Sequence, residues 1–241
     1  MWLGLLVATL HAAEGTYEVR NLGEVLEKAP VALVVTTPGV AVEAYLGWVD
    51  ALESEGFDAR LLVFPASLRG WDAGVAGVKS AVADLGTQEW VLAAHGYGGV
   101  LALMAGVQPE RLALIATPLA PQVTKLSVPE LSEQQGLPWP QSWIGELPVT
   151  WLSPEMGQAY LSLARVMPSY APPVCPTWLV ASGSDPIAPP ETVRLASVGW
   201  PQRTWHRAGI LSLSGSEFQH ADLLLDAGLA REMSEFLSGA E

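Results

Sequence analysis

The sequence predicts an α/β protein built on a doubly wound, mostly parallel sheet. Two observations carry that expectation. Apolar runs of strand length alternate with stretches whose apolar residues recur at helical spacing. The strand-like runs are apolar throughout, as befits strands buried on both faces by crossover helices. Composition agrees: half of the 241 residues are apolar and 15% are charged, enough for a large core and incompatible with global disorder.

The elements read in order as follows. "VALVVTT" (31–37) is rich in β-branched residues and ends at Pro38-Gly39, so it is a strand closed by a turn. Val42, Tyr45, Leu46, Val49 and Leu52 then fall on one helical face, with Gly56 as a stop signal. "RLLVFP" (60–65) is a second strand. Val75, Val78, Val82 and Leu85 mark a helix that stops at Gly86. "WVLAAH" (90–95) is a third strand, followed by a helix from about Tyr97 to Gly106, and "RLALIAT" (111–117) is a fourth. "PTWLVASG" (176–183) is a strand, Pro189 to Ala196 a short helix, and "RTWHRAG" (203–209) a last strand. Leu229, Met233, Phe236 and Leu237 define a closing amphipathic helix.

The rhythm breaks between 118 and 173. This stretch is rich in proline and carries Trp139, Trp143 and Trp151. One helix is legible in it: Ser153 as N-cap, Pro154 at the first helical position, then Met156, Tyr160, Leu163, Ala164 and Met167 on one face. The organisation that follows is an apolar N-terminal segment (1–13), a first core part (14–117), an insertion (118–173) and a second core part (174–241). Residues 1–13 resemble an export signal cleaved near Ala12 or Ala13, but lack a basic leader region and have imperfect residues, Leu10 and His11, before the cut. If the segment is a signal the protein is periplasmic or secreted; otherwise it is cytoplasmic. It is too short to span a bilayer, and no other segment qualifies.

Charge and cysteine content exclude several function classes. The formal net charge is −13 with 12 Lys and Arg. A surface that acidic repels phosphate backbones and anionic lipid, which excludes nucleic-acid partners. The acids are scattered, as on a solvated surface, and suggest no cation site. A single cysteine, Cys175, forbids an internal disulfide and any multi-cysteine metal centre, and it reads as a small buried hydrophobe at a strand start. No cofactor and no metal are implied.

In a doubly wound sheet, ligands bind at the C-terminal ends of the strands. Three of these ends carry suggestive residues. The third strand runs into Ala94-His95-Gly96-Tyr97-Gly98-Gly99. The strand after the insertion runs into "SGSDPIAPPE", with Asp185 in the loop. The last strand is followed by "GSEFQHADLLL", with His220 before the final helix. By residue type alone, Asp185 also suits a helix cap and His220 a capping or core histidine.

These residues, in this order, resemble the α/β-hydrolase family over nearly the whole chain, from about 30 to 238. The family's nucleophile elbow is Gly-x-Ser-x-Gly; here it reads Ala94-His95-Gly96-Tyr97-Gly98. The resemblance places Asp185 at the triad acid and His220 at the general base. It makes Thr37-Pro38-Gly39-Val40 the oxyanion loop, although a His-Gly pair is commoner there, with the backbone N–H groups of Val40 and Tyr97 as donors. It makes the insertion a lid, whose Trp139, Trp143, Trp151 and Tyr160 would line a pocket or staple the lid to the body. His95 and His206 read as packing and strand residues, and Ser182 and Ser184 as turn hydroxyls.

One position departs from the pattern. Gly96 stands where the nucleophile belongs, and glycine cannot attack a carbonyl. Three readings follow. The protein is a non-catalytic family member that binds a small apolar ligand or a protein partner, as the neuroligins, which it resembles in this respect, bind partners. Alternatively it is a weak hydrolase in which His220 activates water. Or it is an esterase- or lipase-like serine hydrolase whose nucleophile has been substituted. The first is the expectation.

Overall fold

The computed structural model describes residues 17–21, 28–64, 68, 71–120, 169–183, 185, 188–208 and 222–240. Within them lies a seven-stranded sheet: β1 (Glu18–Asn21), β2 (Val31–Val35), β3 (Asp58–Val63), β4 (Trp90–His95), β5 (Leu112–Ile115), β6 (Thr177–Ser182) and β7 (Arg203–Ala208). Their spatial order is β1-β3-β2-β4-β5-β6-β7. Every neighbouring pair from β3 to β7 is parallel, for example Val35 beside Ala94 and Ile115 beside Val180. Only β1 runs antiparallel, pairing Glu18 with Val63.

The sequence expectation did not include β1. Its four residues are all half-buried, so they show neither an apolar run nor a clean alternation. Its place is fixed by pairing with β3 rather than by its own pattern. The other six strands fall where the sequence predicts them, five on apolar runs and β7 on the mostly polar Arg203–Ala208.

The helices are α1 (Leu46–Ser54), entered through a 3-10 turn at Val42–Tyr45, then α2 (Trp71–Asp84), α3 (Tyr97–Ala105), α4 (Pro190–Ala196) and α5 (Ala227–Ser238). The expected helix over 42–52 is thus two pieces. Gly56 and Gly86 follow α1 and α2 at φ 86 and 63, in the left-handed space that ends helices. Asp226 caps α5, its Oδ1 accepting from the N–H groups of Gly228 (2.8 Å) and Leu229 (3.0 Å).

Successive strand side chains point to opposite faces, and both faces of this sheet are covered. Leu33 and Val35 join Val78, Val100 and Leu101 on the face under α2 and α3. Ala32 and Val34 join Trp48, Leu52, Met233 and Leu237 under α1 and α5. β2 is completely buried on both sides, which is why it reads as unbroken apolar sequence. The C-terminal ends of β2, β4, β5 and β6 lie side by side along one edge, and the candidate site gathers there. Among the described residues, no helix is long and apolar enough to cross a membrane.

Candidate functional site

Gly96 joins β4 to α3 with φ 52 and ψ −125. That backbone lies outside the strand, helix and left-handed helix regions open to ordinary residues. Hydrogen bonds hold it there. The Gly96 N–H donates to Ile115 O of β5 (2.9 Å), and its carbonyl accepts from the Gly99 N–H (3.1 Å). Two further glycines allow α3 to approach the sheet edge. A Cβ on Gly98 would collide with the carbonyl oxygens of Val35 and Thr36, and one on Gly99 with the Thr117 side chain. The sharp corner is therefore a feature of the backbone and its close packing, with no side chain at its apex.

Tyr97, the first residue of α3, is buried, with its ring 5.7 Å from that of Trp71. Burial pushes its phenol pKa up, and the negative charge of Asp185 adds to the shift. The structure thus brings Asp185, from the loop after β6, within electrostatic reach of the elbow. Asp185 is itself buried. Its Oδ1 accepts from the Ala188 N–H (2.9 Å), and its N–H donates to Ser182 O (3.3 Å). The carboxylate thus closes the turn before α4; the N-cap position of α4 is Pro189. Ser182 is fully buried, and its carbonyl serves this turn.

The Thr37–Val40 turn follows β2. Val40 is buried and its N–H donates to Thr37 O (3.1 Å). The Thr37 N–H donates to the Tyr45 hydroxyl (2.8 Å), and Pro38 has no N–H. The Thr37 and Val40 donors of this turn are thus engaged inside the protein.

His95 precedes the corner and is completely buried. Its ring packs edge-on to Tyr45 and Trp48, and its Nδ1 lies 3.0 Å from Thr37 Oγ1. His206 lies on β7, 3.5 Å from Glu232 and beside Trp178. Cys175 is buried two residues before β6. His220, Ser184, Trp139, Trp143, Trp151 and Tyr160 lie outside the described residues, as does the helix expected after Ser153.

Two participants are not singled out by the sequence. Tyr45 reads only as part of an apolar helix face, and Thr117 only as the end of an apolar strand. Thr37 reads as part of the oxyanion loop, but its side-chain role does not show. A usable signal existed: Thr36, Thr37 and Thr117 are hydroxyls closing otherwise apolar, wholly buried strands, where a polar group needs a reason.

Neither a scan against protein-family models nor a search of curated proteins finds a match to this chain. Solved structures do match at low identity. A monoacylglycerol lipase from Paleococcus ferrophilus is 14% identical with a TM-score of 0.62, over 88% of this chain and 96% of the lipase. The thioesterase domain from the curacin biosynthetic pathway is 14% identical with a TM-score of 0.61, over 96% of this chain and 99% of that domain. An alpha/beta hydrolase superfamily protein from Enterococcus faecalis is 13% identical with a TM-score of 0.58, over 92% and 94% of the two chains. Together with the strand order and the strand–corner–helix at Gly96, these likenesses give the chain the α/β-hydrolase fold.

Proposed function

We propose that this protein is a non-catalytic α/β-hydrolase-like binding protein, with its ligand site at the corner formed by Gly96, Tyr97 and Asp185. The observation that carries this reading is Gly96 itself. The backbone turns as sharply as a nucleophile elbow requires, and the residue at its apex has no atom that can form an acyl-enzyme. Removing the nucleophile from such a site costs about 10⁶ in kcat and leaves roughly 10³–10⁴ over water. The facing turn supports the same reading. A loop that stabilises an oxyanion must aim N–H groups at the reacting carbonyl, whereas those of Thr37 and Val40 are bonded internally.

In this reading Asp185 and His220 persist as polar walls of a ligand pocket, and the 118–173 insertion roofs it. The ligand is a small apolar molecule, suited to the tryptophans of that insertion. The test is incubation with a fluorophosphonate probe and with p-nitrophenyl acetate. The expected result is no covalent adduct and no acylation burst; stoichiometric labelling would refute the proposal.

A second reading is favoured by one observation: the corner keeps the unusual backbone although no side chain needs presenting. An esterase-like enzyme whose serine had been replaced would look the same. Gly96→Ser separates the two. Little turnover is expected if the site is a binding site, and strong esterase activity would support the enzyme.

A further inference from the structure

A fully buried polar knot lies beneath the corner and involves three elements. Thr37 (after β2) points its Oγ1 at two atoms of His95, the carbonyl oxygen at 2.7 Å and ring Nδ1 at 3.0 Å. The Tyr45 hydroxyl accepts the Thr37 N–H at 2.8 Å and lies 3.5 Å from the same Nδ1. All three residues are at most 1% exposed, so water does not compete for these bonds.

Counting the Thr37 hydroxyl proton points to one arrangement. Two oxygens 2.7 Å apart need a hydrogen between them, and a backbone carbonyl has none to give. The Thr37 hydroxyl therefore donates to His95 O. It has a single proton, so toward Nδ1 it acts as acceptor, and Nδ1 must carry a hydrogen. The other assignment, with Nδ1 bare, would set its lone pair against an oxygen lone pair at 3.0 Å. The contact to Tyr45, at 3.5 Å, is too long to outweigh that.

We infer that His95 is a positioning residue, held as the Nδ1–H tautomer, that ties the Thr37–Val40 turn to the elbow strand so that turn and corner form one rigid frame. The inference rests on the proposed site lying between these two segments. Its chemistry follows from the geometry. Thr37 reaches His95 twice, once through the backbone of β4 and once through the ring. Either bond alone would fix the hydroxyl, and both together fix the ring orientation as well. Tyr45 completes the knot by holding the Thr37 N–H, so the turn cannot rotate without breaking three buried hydrogen bonds. Burial also pushes the Tyr45 phenol pKa up, which keeps this partner neutral.

The test is a long-range proton–nitrogen correlation spectrum of the ¹⁵N-labelled full chain, with the His95 ring identified by its loss in His95→Asn. The expected pattern is a protonated Nδ1. The opposite tautomer would overturn the inference, because it would make Tyr45 the donor to Nδ1. Amide exchange provides the second reading. The side-chain nitrogen of asparagine stands near the place of Nδ1, and that of glutamine near Nε2. His95→Asn should therefore keep the Thr37, Val40 and Gly96 amides near wild-type protection. His95→Gln and Thr37→Val should lower it about tenfold, the effect of roughly one buried hydrogen bond, with β5 and β6 unchanged. Equal loosening by Asn and Gln would reduce His95 to packing alone. Neither readout needs a ligand. Labelling of the wild type by fluorophosphonate would thus refute the binding proposal and leave this spectrum intact.

Discussion

Thr117 places its side chain where a Cβ on Gly99 would have to sit. A Cβ built there comes within 2.7 Å of Thr117 Cγ2 and 2.9 Å of its Cβ, and closer still to its Oγ1. The segment just after β5 and the first turn of α3 are in contact through a residue without a side chain. Gly99→Ala should therefore destabilise the protein by about 1–3 kcal/mol through overpacking. Thr117→Ala in the same molecule should restore much of the loss, since the two sites share one space. Urea denaturation of the two single variants and the double variant measures this directly.

The same threonine carries an unusual polar atom. Thr117 Oγ1 is buried and has no hydrogen-bond partner among the described residues. An unsatisfied buried hydroxyl costs stability that an isosteric methyl does not. Thr117→Val should be neutral or stabilising by up to about 1 kcal/mol, in contrast to the usual destabilisation by core substitutions. A clear loss of stability, read by the same denaturation, would mean that the hydroxyl does bond in solution.

Gly98 is a harsher case than Gly99. Its missing Cβ faces the backbone carbonyls of Val35 and Thr36, which cannot rotate away as a side chain can. Gly98→Ala should cost about 3 kcal/mol or more and displace α3 from the end of β2. Gly47 gives the control. It lies exposed in α1, and beyond its own helix no described residue comes within 4 Å of a built Cβ, so Gly47→Ala should stabilise by about 0.5–1 kcal/mol through helix propensity. Thermal melts of both variants check the contrast.

Stability should fall in alkali. Burial raises the phenol pKa of Tyr45, of Tyr97, where Asp185 adds to the shift, and of Tyr170, which is pushed up to about 12. Unfolded phenols titrate near 10. Above that pH the unfolded chain has released protons that the folded one still holds, so the linkage slope is negative. The contribution is complete below about pH 10 and is lost as pH rises through the folded values. Tyr97→Phe should flatten the slope by about one proton, ~1.4 kcal/mol per pH unit. Urea midpoints measured in steps above pH 10 test it.

The strands from β2 to β6 were legible because burial leaves largely apolar sequence, as in Val31–Val35, whereas β7 is mostly polar and Arg203–His206 are half-buried or exposed. β1 was not legible: Glu18-Val-Arg-Asn owes its conformation to the register of β3. At the site, Gly96 and Asp185 are legible from residue type and strand context, while His220 lies outside the described residues. The backbone angles of Gly96 are not legible, since glycine is open to many conformations. The knot of Thr37, Tyr45 and His95 was also hidden. Its members are up to 58 positions apart, and only the adjacency of β2 and β4 brings them together. The family resemblance pairs the Val40 and Tyr97 N–H groups as donors, but a donor's actual partner is decided by turn geometry, and for Val40 that partner is Thr37 O.

The central claim is that this corner binds and does not react. Intact-protein mass spectrometry after fluorophosphonate treatment, run on the wild type and on Gly96→Ser, tests it most directly. At φ 52 a serine is strained, so the variant should lose about 1–3 kcal/mol of stability. The account predicts an unmodified wild type and a Gly96→Ser variant with little or no ester turnover. A wild-type chain carrying one covalent phosphonate per molecule would contradict it.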